Sequence, residues 1–540
     1  MNTSNRISLG LDFGTESVRA LLVDLAGRER GAAVARYRHG QILARLPTGG
    51  RALPPQFALQ HPGDWLAAAG TAVRRARKAG GVAAAEVVGI GVDFTSCTML
   101  PALADGTPLC LLPRFAKNPY AWPKLWKHHG AQAAADRINA VARERGEDWL
   151  ARYGGVVGLE WFFPKILETL ERAPEVYGAT EVWVEGGDWL VWRLVGGEAA
   201  ELPRSTCQAG YKAMWNRADG YPSRAFFGAV HADFADVVGT RMPGRLLAPG
   251  ECAGELTPAA ARTLGLAAGT PVSAAIIDAH AGVPGAGVAG TDTLVMVLGT
   301  SSCHMIQAAE ERRIAGIAGV VHGGILPGLY GYETGQAAVG DAFEWLRRLA
   351  GERDFRRLNA RAAALPAGAQ GVAAMDWMNG CRTPLMDGDL GGAFTGLHLH
   401  HGPEHLFRAL IEASGFGLRW IVELLREGGI PVERLVATGG LPHHAPLVVQ
   451  IYADVLGSPI RVPGSRQGPA LGAAVLGAVA AGRRATGFGT AAAAVRAMTA
   501  PAGRGCRVVR PHGANTRIYD GLYAGYRRLA GALAGRDLRR

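Results

Sequence analysis

The sequence is poor in cysteine, and its seven cysteines form no paired motif. None stands in a C-x-x-C arrangement, since they occupy positions 97, 110, 207, 252, 303, 381 and 506. An odd and dispersed set is typical of reduced thiols rather than of a disulfide-stapled secreted domain. The histidine pairs and clusters also lack a spacing that would set four ligands on one face, which argues against a structural zinc site.

No stretch of the chain is apolar for long enough to span a bilayer. The stretch of lowest polarity, residues 470–482, is too short and too rich in Gly and Ala. Residues 1–10 contain no hydrophobic signal region. Together with the cysteine pattern, these absences predict a cytoplasmic protein with no membrane partner.

Charge of one sign is nowhere concentrated, although the formal net charge is +11. The densest basic clusters, residues 74–78 and 536–540, are short and contain no interleaved aromatic residues. A nucleic-acid-binding surface usually carries a longer basic stripe. We therefore expect no nucleic-acid partner, while a modest positive field would suit a small anionic substrate.

The sequence does contain two strand–turn–strand patterns of the same kind, about half a chain apart. The first turn holds Gly14 and Thr15, and the second holds Gly299 and Thr300. The predicted strands that flank these turns are residues 7–13, 18–25, 293–298 and 303–307. In a chain of 540 residues, this repetition predicts two large similar domains that each offer one hairpin to a shared cleft. The Gly- and Ala-rich residues 279–292 suit a boundary and a hinge.

Other patterns complete the outline of an α/β protein. Asp105-Gly106 lies between two apolar runs, 99–103 and 108–112, and predicts a further β-hairpin. Residues 122–153 are predicted to be mostly helical. Residues 468–481 form a small-residue helix that could pack tightly on a sheet.

The two Gly-Thr turns suggest a phosphate clamp. Glycine lets backbone N–H groups approach a phosphate closely, and the threonine hydroxyl adds a donor. Asp12, directly before the first turn, could hold Mg²⁺ through water because this cation prefers oxygen ligands. A hairpin without a ligand explains either turn alone, whereas the pair favours phosphate. Gly439-Gly440, after a predicted strand, is either a plain turn or a loop against an adenine or ribose.

Asp278 follows an apolar strand and precedes Gly-rich backbone. It could serve as the base that accepts a hydroxyl proton in phosphoryl transfer, or it could simply cap a helix, and its local pattern favours neither reading. Lys212 and Glu333 carry only weak local signals of function. Trp126, like the other tryptophans near it, is typical of a hydrophobic core.

Taken together, these motifs resemble the FGGY carbohydrate kinases from about residue 7 to residue 482. Within that family the ribulokinases are the most similar. The stretches that carry the resemblance are GLDFGTESVRALLVD (10–24), GIGVDFTSCTMLP (89–101), KNPYAWPKLWKHHGAQ (117–132), EWFFPKILETLERAPEVY (160–177), RSTCQAGYKAMWN (204–216), IIDAHAG (276–282), LGTSSCHM (298–305) and TGGLPHHAPLVVQIYADVLG (438–457).

The resemblance implies two RNase-H-like domains of the actin-like ATPase type, with a cleft between them. The N-terminal domain, residues 1–284, would bind the sugar, and the C-terminal domain, residues 285–540, would bind the nucleotide. It also implies that ATP and Mg²⁺ are used to phosphorylate L-ribulose, or another 2-ketopentose, at O5 in L-arabinose catabolism. A homodimer is one open alternative for its assembly.

The resemblance further assigns roles to individual residues. Asp278 would be the catalytic base, and Asp12 and Asp278 would lie near the metal. The residues implied to contact the sugar are Ser96, Trp126, Lys212, Asp278 and Glu333. The residues implied to lie near the nucleotide are Asp12, Gly14, Thr15, Gly299, Thr300, Gly340, Glu344, Gly439 and Gly440.

Two alternatives stay open at this point. One is an FGGY kinase for xylulose or another polyol or ketose, and the other is an actin-like ATPase or sugar sensor that is not a kinase. The sequence also departs from the family pattern at Ala445, where related sequences commonly carry Asn. That departure puts one adenosine contact in doubt and leaves the phosphate and sugar residues unaffected.

Overall fold

The computed structural model describes residues 6–50, 52–500 and 505–535. The first five residues of the N-terminal segment and the basic cluster at 536–540 therefore lie outside the described residues. Within the described part, the fold is built on two mixed β-sheets, one in each half of the chain.

The N-terminal half contains eleven strands in its described part, seven of them in one sheet of order β3-β2-β1-β4-β10-β9 with β11 added beside β4. Their bounds are β1 Ile7–Phe13, β2 Ser17–Asp24, β3 Glu29–Arg36, β4 Val87–Phe94, β5 Met99–Ala102, β6 Val182–Glu185, β7 Pro203–Ser205, β8 Arg245–Leu247, β9 Cys252–Glu255, β10 Pro271–Ser273 and β11 Ile276–Ile277. The first three strands are antiparallel neighbours, and β4 then joins β1 in parallel.

The C-terminal half repeats this arrangement in a sheet of order β14-β15-β13-β12-β18-β19-β20. Its strands, with a separate β16–β17 pair, are β12 Thr293–Leu298, β13 Ser302–Ala308, β14 Gly319–His322, β15 Tyr330–Gln336, β16 Ala373–Met375, β17 Ala393–Thr395, β18 Arg434–Gly439, β19 Ile460–Val462 and β20 Arg507–Val509. Here too antiparallel strands precede a parallel pair, β12 with β18. The repeated order confirms the prediction of two RNase-H-like sheets.

Helices cover the faces of both sheets. Those of the N-terminal half are α1 Pro62–Gly80, α2 Gln132–Glu144, α3 Phe162–Arg172, α4 Pro174–Ala179, α5 Gly186–Val195, α6 Thr206–Lys212, α7 Arg224–Val230, α8 Val237–Arg241, α9 Pro258–Leu264 and α10 Asp278–Gly285. Those of the C-terminal half are α11 Gly340–Leu349, α12 Phe355–Ala363, α13 Pro403–Glu427, α14 Leu441–His444, α15 Pro446–Leu456, α16 Gly468–Ala480, α17 Gly482–Thr486, α18 Ala491–Thr499 and α19 Gly513–Ala534. No described helix is long and apolar enough to cross a membrane.

Both Gly-Thr hairpins are present where the sequence predicts them. β1 pairs with β2 around Gly14, and β12 pairs with β13 around Gly299. In each turn the glycine N–H donates to a serine carbonyl, that of Ser17 in the first and that of Ser301 in the second, at 3.0 Å. The two turns are therefore similar, although the first is one residue longer, since Phe13 pairs with Val18 and Leu298 pairs with Ser302.

Two predictions of secondary structure are wrong in part. The turn at Asp105-Gly106 forms, but residues 109–111 after it are a 3₁₀ helix, and β5 pairs instead with the distant β6. In the segment 122–153, regular α-helix begins only at α2. In both places, pairing with residues far along the chain replaces the local preference.

The small-residue helix α16 packs directly on the N-terminal sheet, although it belongs to the C-terminal half of the chain. A Cβ atom added at Gly10, Gly89 or Gly91 would overlap carbonyl oxygens of this helix. Helix α10, from the predicted hinge segment, also packs backbone to backbone on α16. A Cβ atom added at Gly285 of α10 would overlap the carbonyl oxygen of Gly468, and one added at Gly472 of α16 would overlap that of Ala281. Residues 278–285 are thus a mostly buried helix rather than an open linker.

Substitution of Gly91 by alanine is expected to lower the free energy of unfolding by about 1–3 kcal/mol or more, because the added methyl group must push α16 off the sheet. Urea denaturation followed by circular dichroism measures this loss. Gly239→Ala is the matched control, because that helical glycine has no neighbour within 4 Å of the added Cβ. The control should be unchanged or stabilised by up to about 1 kcal/mol. Equal stability of the two variants would contradict the packing argument.

Candidate functional site

Three carboxylates meet at one edge of the N-terminal sheet. Asp12 ends β1, and the parallel register places it directly beside Asp93 in β4. Strand β11 pairs with Asp93 and Phe94, so that Asp278 follows at the same edge. Because parallel strands bring their carboxyl ends to one edge, residues 81 and more positions apart become neighbours.

The carboxylates of this edge have perturbed pKa values. Burial raises the pKa of Asp12, and the guanidinium of Arg19, 3.2 Å away, partly opposes that rise. Burial raises the pKa of Asp278 to about 7, and the negative charge of Asp12 adds to this, while the Ala279 N–H that donates to Asp278 Oδ1 at 2.7 Å opposes it. A carboxyl group with a pKa near neutrality is suited to accept a proton.

A buried ion-pair cluster that joins the two halves of the chain lies near Asp278. Lys212, at the end of α6, donates to both carboxylate oxygens of Glu333 in β15, at 3.0 and 3.1 Å. Arg382 also donates to Glu333. The two cations hold the pKa of Glu333 well below its usual range, against the effect of burial. His280 Nε2 lies 3.4 Å from the same carboxylate, and burial lowers the pKa of this imidazole.

Ser96 and Trp126 lie on two loops that one buried lysine ties together. Lys165 Nζ donates to the carbonyl oxygens of Cys97 at 2.6 Å and Leu125 at 2.7 Å. Each acceptor is one residue away from Ser96 or Trp126. The indole N–H of Trp126 in turn donates to the Thr15 hydroxyl at 3.1 Å, which brings this loop to the first Gly-Thr turn. Trp126 is 37% exposed, so it lies at the surface and is not the core residue that its residue type predicts.

The glycines implied for the nucleotide meet at one edge of the C-terminal sheet. Leu298 pairs with Gly439 across β12 and β18, and Gly439 has φ +93°, which a residue with a side chain rarely adopts. The Gly340 N–H donates to the Gly299 carbonyl at 3.1 Å, so α11 begins against the second turn. Gly440 and Thr300 are exposed beside them.

Glu344 lies on α11, which begins against the second turn. Its carboxylate binds Arg347, with contacts of 2.6 and 2.8 Å along the same helix. The structure therefore engages this side chain in a local ion pair on α11. Its predicted position near the nucleotide stays a prediction.

Comparison with known proteins identifies the family. Residues 294–481 match the C-terminal domain of the FGGY family of carbohydrate kinases. The ribulokinase of Shouchella clausii is 44% identical over 97% of this chain and 94% of its own. The ribulokinase of Mycolicibacterium smegmatis is 44% identical over 96% of this chain and 92% of its own. The chain belongs to the FGGY carbohydrate kinases, in the ribulokinase group.

Solved structures of FGGY kinases share the fold. A xyloylose kinase from Brucella ovis superposes with a TM-score of 0.79 at 22% identity, covering 98% of this chain and 99% of the other. A glycerol kinase from Plasmodium falciparum, solved with ADP, gives a TM-score of 0.77 at 15% identity, with the same coverage. These neighbours confirm the two-domain actin-like ATPase fold. The assignment as a sugar kinase rests on the family match and on the ribulokinase relatives.

Three residues of this FGGY kinase site were not singled out from the sequence: Asp93, Arg382 and Lys165. Asp93 stands inside an apolar strand, where a charged residue is rare, and that was a usable signal. Lys165 stands within an apolar helix and gave a similar signal. Arg382 lies in a loop with no pattern around it, and only the fold brings it to Glu333.

The residues present fit a hard divalent cation. Asp12, Asp93 and Asp278 offer carboxylate oxygens, which such cations prefer, and Arg19 is the cation hydrogen-bonded to Asp12. The two sheet edges also offer the backbone turns that a nucleotide phosphate chain needs. Among the described residues, the group of three with direct metal-ligand spacing is a different one, His39, His61 and Asp64. However, His61 Nδ1 accepts from the Gly63 N–H and caps the start of α1, and His39 Nδ1 is hydrogen-bonded to Asp64. These ligand atoms are therefore already used in hydrogen bonds.

Proposed function

We propose that this kinase transfers the γ-phosphate of ATP to O5 of L-ribulose, giving L-ribulose 5-phosphate and ADP in L-arabinose catabolism. The observation that carries the proposal is the position of Asp278, a carboxyl group with a pKa of about 7 between the Asp12 edge and the Lys212–Glu333 pair. A proton acceptor, hydroxyl-binding groups and a phosphate edge are the parts that phosphoryl transfer to an alcohol requires. Other 2-ketopentoses would fit the same groups.

In this mechanism Asp278 accepts the proton of the O5 hydroxyl as that oxygen bonds to the γ-phosphorus. The bond from phosphorus to the β-γ bridging oxygen breaks, and ADP leaves. Lys212, Glu333 and Ser96 would hydrogen-bond the sugar, and Trp126 would wall the pocket. Asp12 and Asp278 would hold Mg²⁺, which supplies positive charge to the phosphates. Positioning in a closed site can contribute about 7–11 kcal/mol to the lowering of the barrier.

We also propose that the first half of the chain binds the sugar and the second half binds the nucleotide. The first sheet lies wholly within residues 1–284. Asp12 in that sheet, Ser96 in a loop and Lys212 in α6 belong to the same range, which supports a sugar-binding domain there. The second sheet lies within residues 285–540 and carries the Gly299, Gly340 and Gly439 edge, which supports a nucleotide-binding domain. Helix α16 is the exception, since it belongs to the second range and packs on the first sheet.

The cytoplasm is the compartment we propose, because all seven cysteines are free thiols and would be stable under reducing conditions. Assembly as a homodimer stays a prediction from the resemblance. Sedimentation velocity of the purified protein would check it.

The proposed reaction is tested by coupled ADP release at saturating ATP with L-ribulose, D-ribulose, L-xylulose, D-xylulose, ribitol and glycerol. We expect the highest kcat/KM with L-ribulose and lower values for the other ketopentoses. A clear preference for glycerol or xylulose would favour another FGGY kinase. ATP hydrolysis that no sugar changes would favour the actin-like ATPase alternative. Direct detection of the 5-phosphate by ³¹P NMR would establish the position of transfer.

A further inference from the structure

Asp93 is a buried carboxylate without a hydrogen-bond donor. Its side chain is 0% exposed, and neither oxygen has a partner among the described residues. Buried carboxylates are normally paired or hydrogen-bonded, because an isolated buried charge costs several kcal/mol. The carboxyl therefore requires a ligand, a proton or a cation that the protein chain alone does not supply.

The group beside Asp93 is another acceptor. Asp12 is its partner in the strand register, and the two carboxyl groups lie within hydrogen-bonding range, which two ionised carboxylates cannot use. Asp278 adds a third negative charge to the environment of Asp93. Against these three, Arg19 is the described cation that is hydrogen-bonded to Asp12. Acidic groups therefore outnumber cations around Asp93 at this edge of the N-terminal sheet.

A second buried polar atom points to the same place. The Tyr37 hydroxyl is buried without a hydrogen-bond partner, and the charges of Asp12 and Asp93 both act on it. Acceptors and a hydroxyl without partners, gathered around one carboxylate, are the surroundings of a hydrated ion rather than of a closed apolar core.

We propose that Asp93 is a third carboxylate of the metal–nucleotide site, which stabilises the hydrated divalent cation shared with Asp12. This inference rests on the proposed function, because it takes the ligand of the edge to be metal-bound ATP. Asp93 would contribute negative charge and acceptor oxygens from the buried part of this sheet edge. Groups that support metal ligands in this way typically change metal affinity 10–100-fold when they are removed.

The test measures how strongly metal and nucleotide binding depend on each other. The dissociation constant of a fluorescent ADP analogue is measured with EDTA and again with saturating Mn²⁺, and the ratio of the two gives the coupling. In Asp93→Asn we expect the value in EDTA to stay within about twofold of wild type and the coupling to fall about 10–100-fold. Titration with Mn²⁺ followed by electron paramagnetic resonance should show the same loss directly.

Asp188→Asn is the matched control, since Asp188 is also a buried carboxylate of the first half but accepts a hydrogen bond from the Ser205 N–H at 2.9 Å. Its coupling should equal that of wild type. Asp93→Ser, which removes the same charge with a smaller side chain, replaces the asparagine variant if that variant does not fold. Unchanged coupling in the Asp93 variants would overturn the inference and mean that Asp93 merely shares a proton with Asp12. Absence of coupling in wild type would instead overturn the metal-dependent function itself.

Discussion

Replacement of Asp278 by asparagine is expected to lower kcat by about 10²–10⁴-fold, because the variant keeps the shape of the side chain and loses the proton acceptor. The fold and the affinity for ATP should be retained, since the Ala279 N–H can still donate to the amide oxygen that replaces Asp278 Oδ1. Steady-state kinetics with L-ribulose, together with binding of a nucleotide analogue, measure both effects.

Asp292→Asn provides the control for this experiment. Asp292 directly precedes β12, and its carboxylate pairs with Arg434 at 2.5 Å. This is the end of β12 opposite to the Gly299 turn. Turnover of this variant should be near that of wild type. If Asp278→Asn retained near-normal turnover, Asp278 would not be the base, and its perturbed pKa would reflect burial alone.

The sequence alone was sufficient wherever the signal was local. The hairpins at Gly14 and Gly299 depend on residues within one turn, and their predicted strands agree with β1, β2, β12 and β13 to within one residue or so. The resemblance also named Asp12, Asp278, Lys212 and Glu333, and the structure brings these four into one charged cluster.

Features formed by residues that are far apart in the sequence could not be predicted from local patterns. Asp93 is unusual within its apolar strand, but only the fold shows that it lies beside Asp12, which is 81 positions earlier in the chain. The strands β1 and β4 on which α16 packs stand about 380–460 residues before it, and small residues alone do not indicate which surface they will meet. For Asp278 the hypothesis of a helix cap is wrong in detail, because Ile277 occupies the N-cap position and Asp278 is the first residue of α10, where its Oδ1 accepts from the Ala279 N–H. Its role as the base stays a prediction.

Replacement of Glu333 by glutamine is expected to lower the free energy of unfolding by about 3–5 kcal/mol and to raise the KM for the sugar. The stability loss arises because the buried Lys212 and the partly buried Arg382 lose their shared carboxylate, and an uncompensated buried charge is strongly destabilising. Chemical denaturation and steady-state kinetics at saturating ATP give the two values separately.

Lys212→Met separates the structural part of this effect from sugar binding. In that variant Glu333 keeps Arg382 as its partner, so the stability loss should be clearly smaller than in Glu333→Gln. The KM for the sugar should nevertheless rise in both, because Lys212→Met removes one proposed hydrogen-bonding group and Glu333→Gln removes the charge of the other. An unchanged sugar KM in Lys212→Met would mean that the ion pair only joins the two halves of the molecule. A double-mutant cycle between the two positions measures their interaction, and a coupling near zero would contradict the buried pair itself.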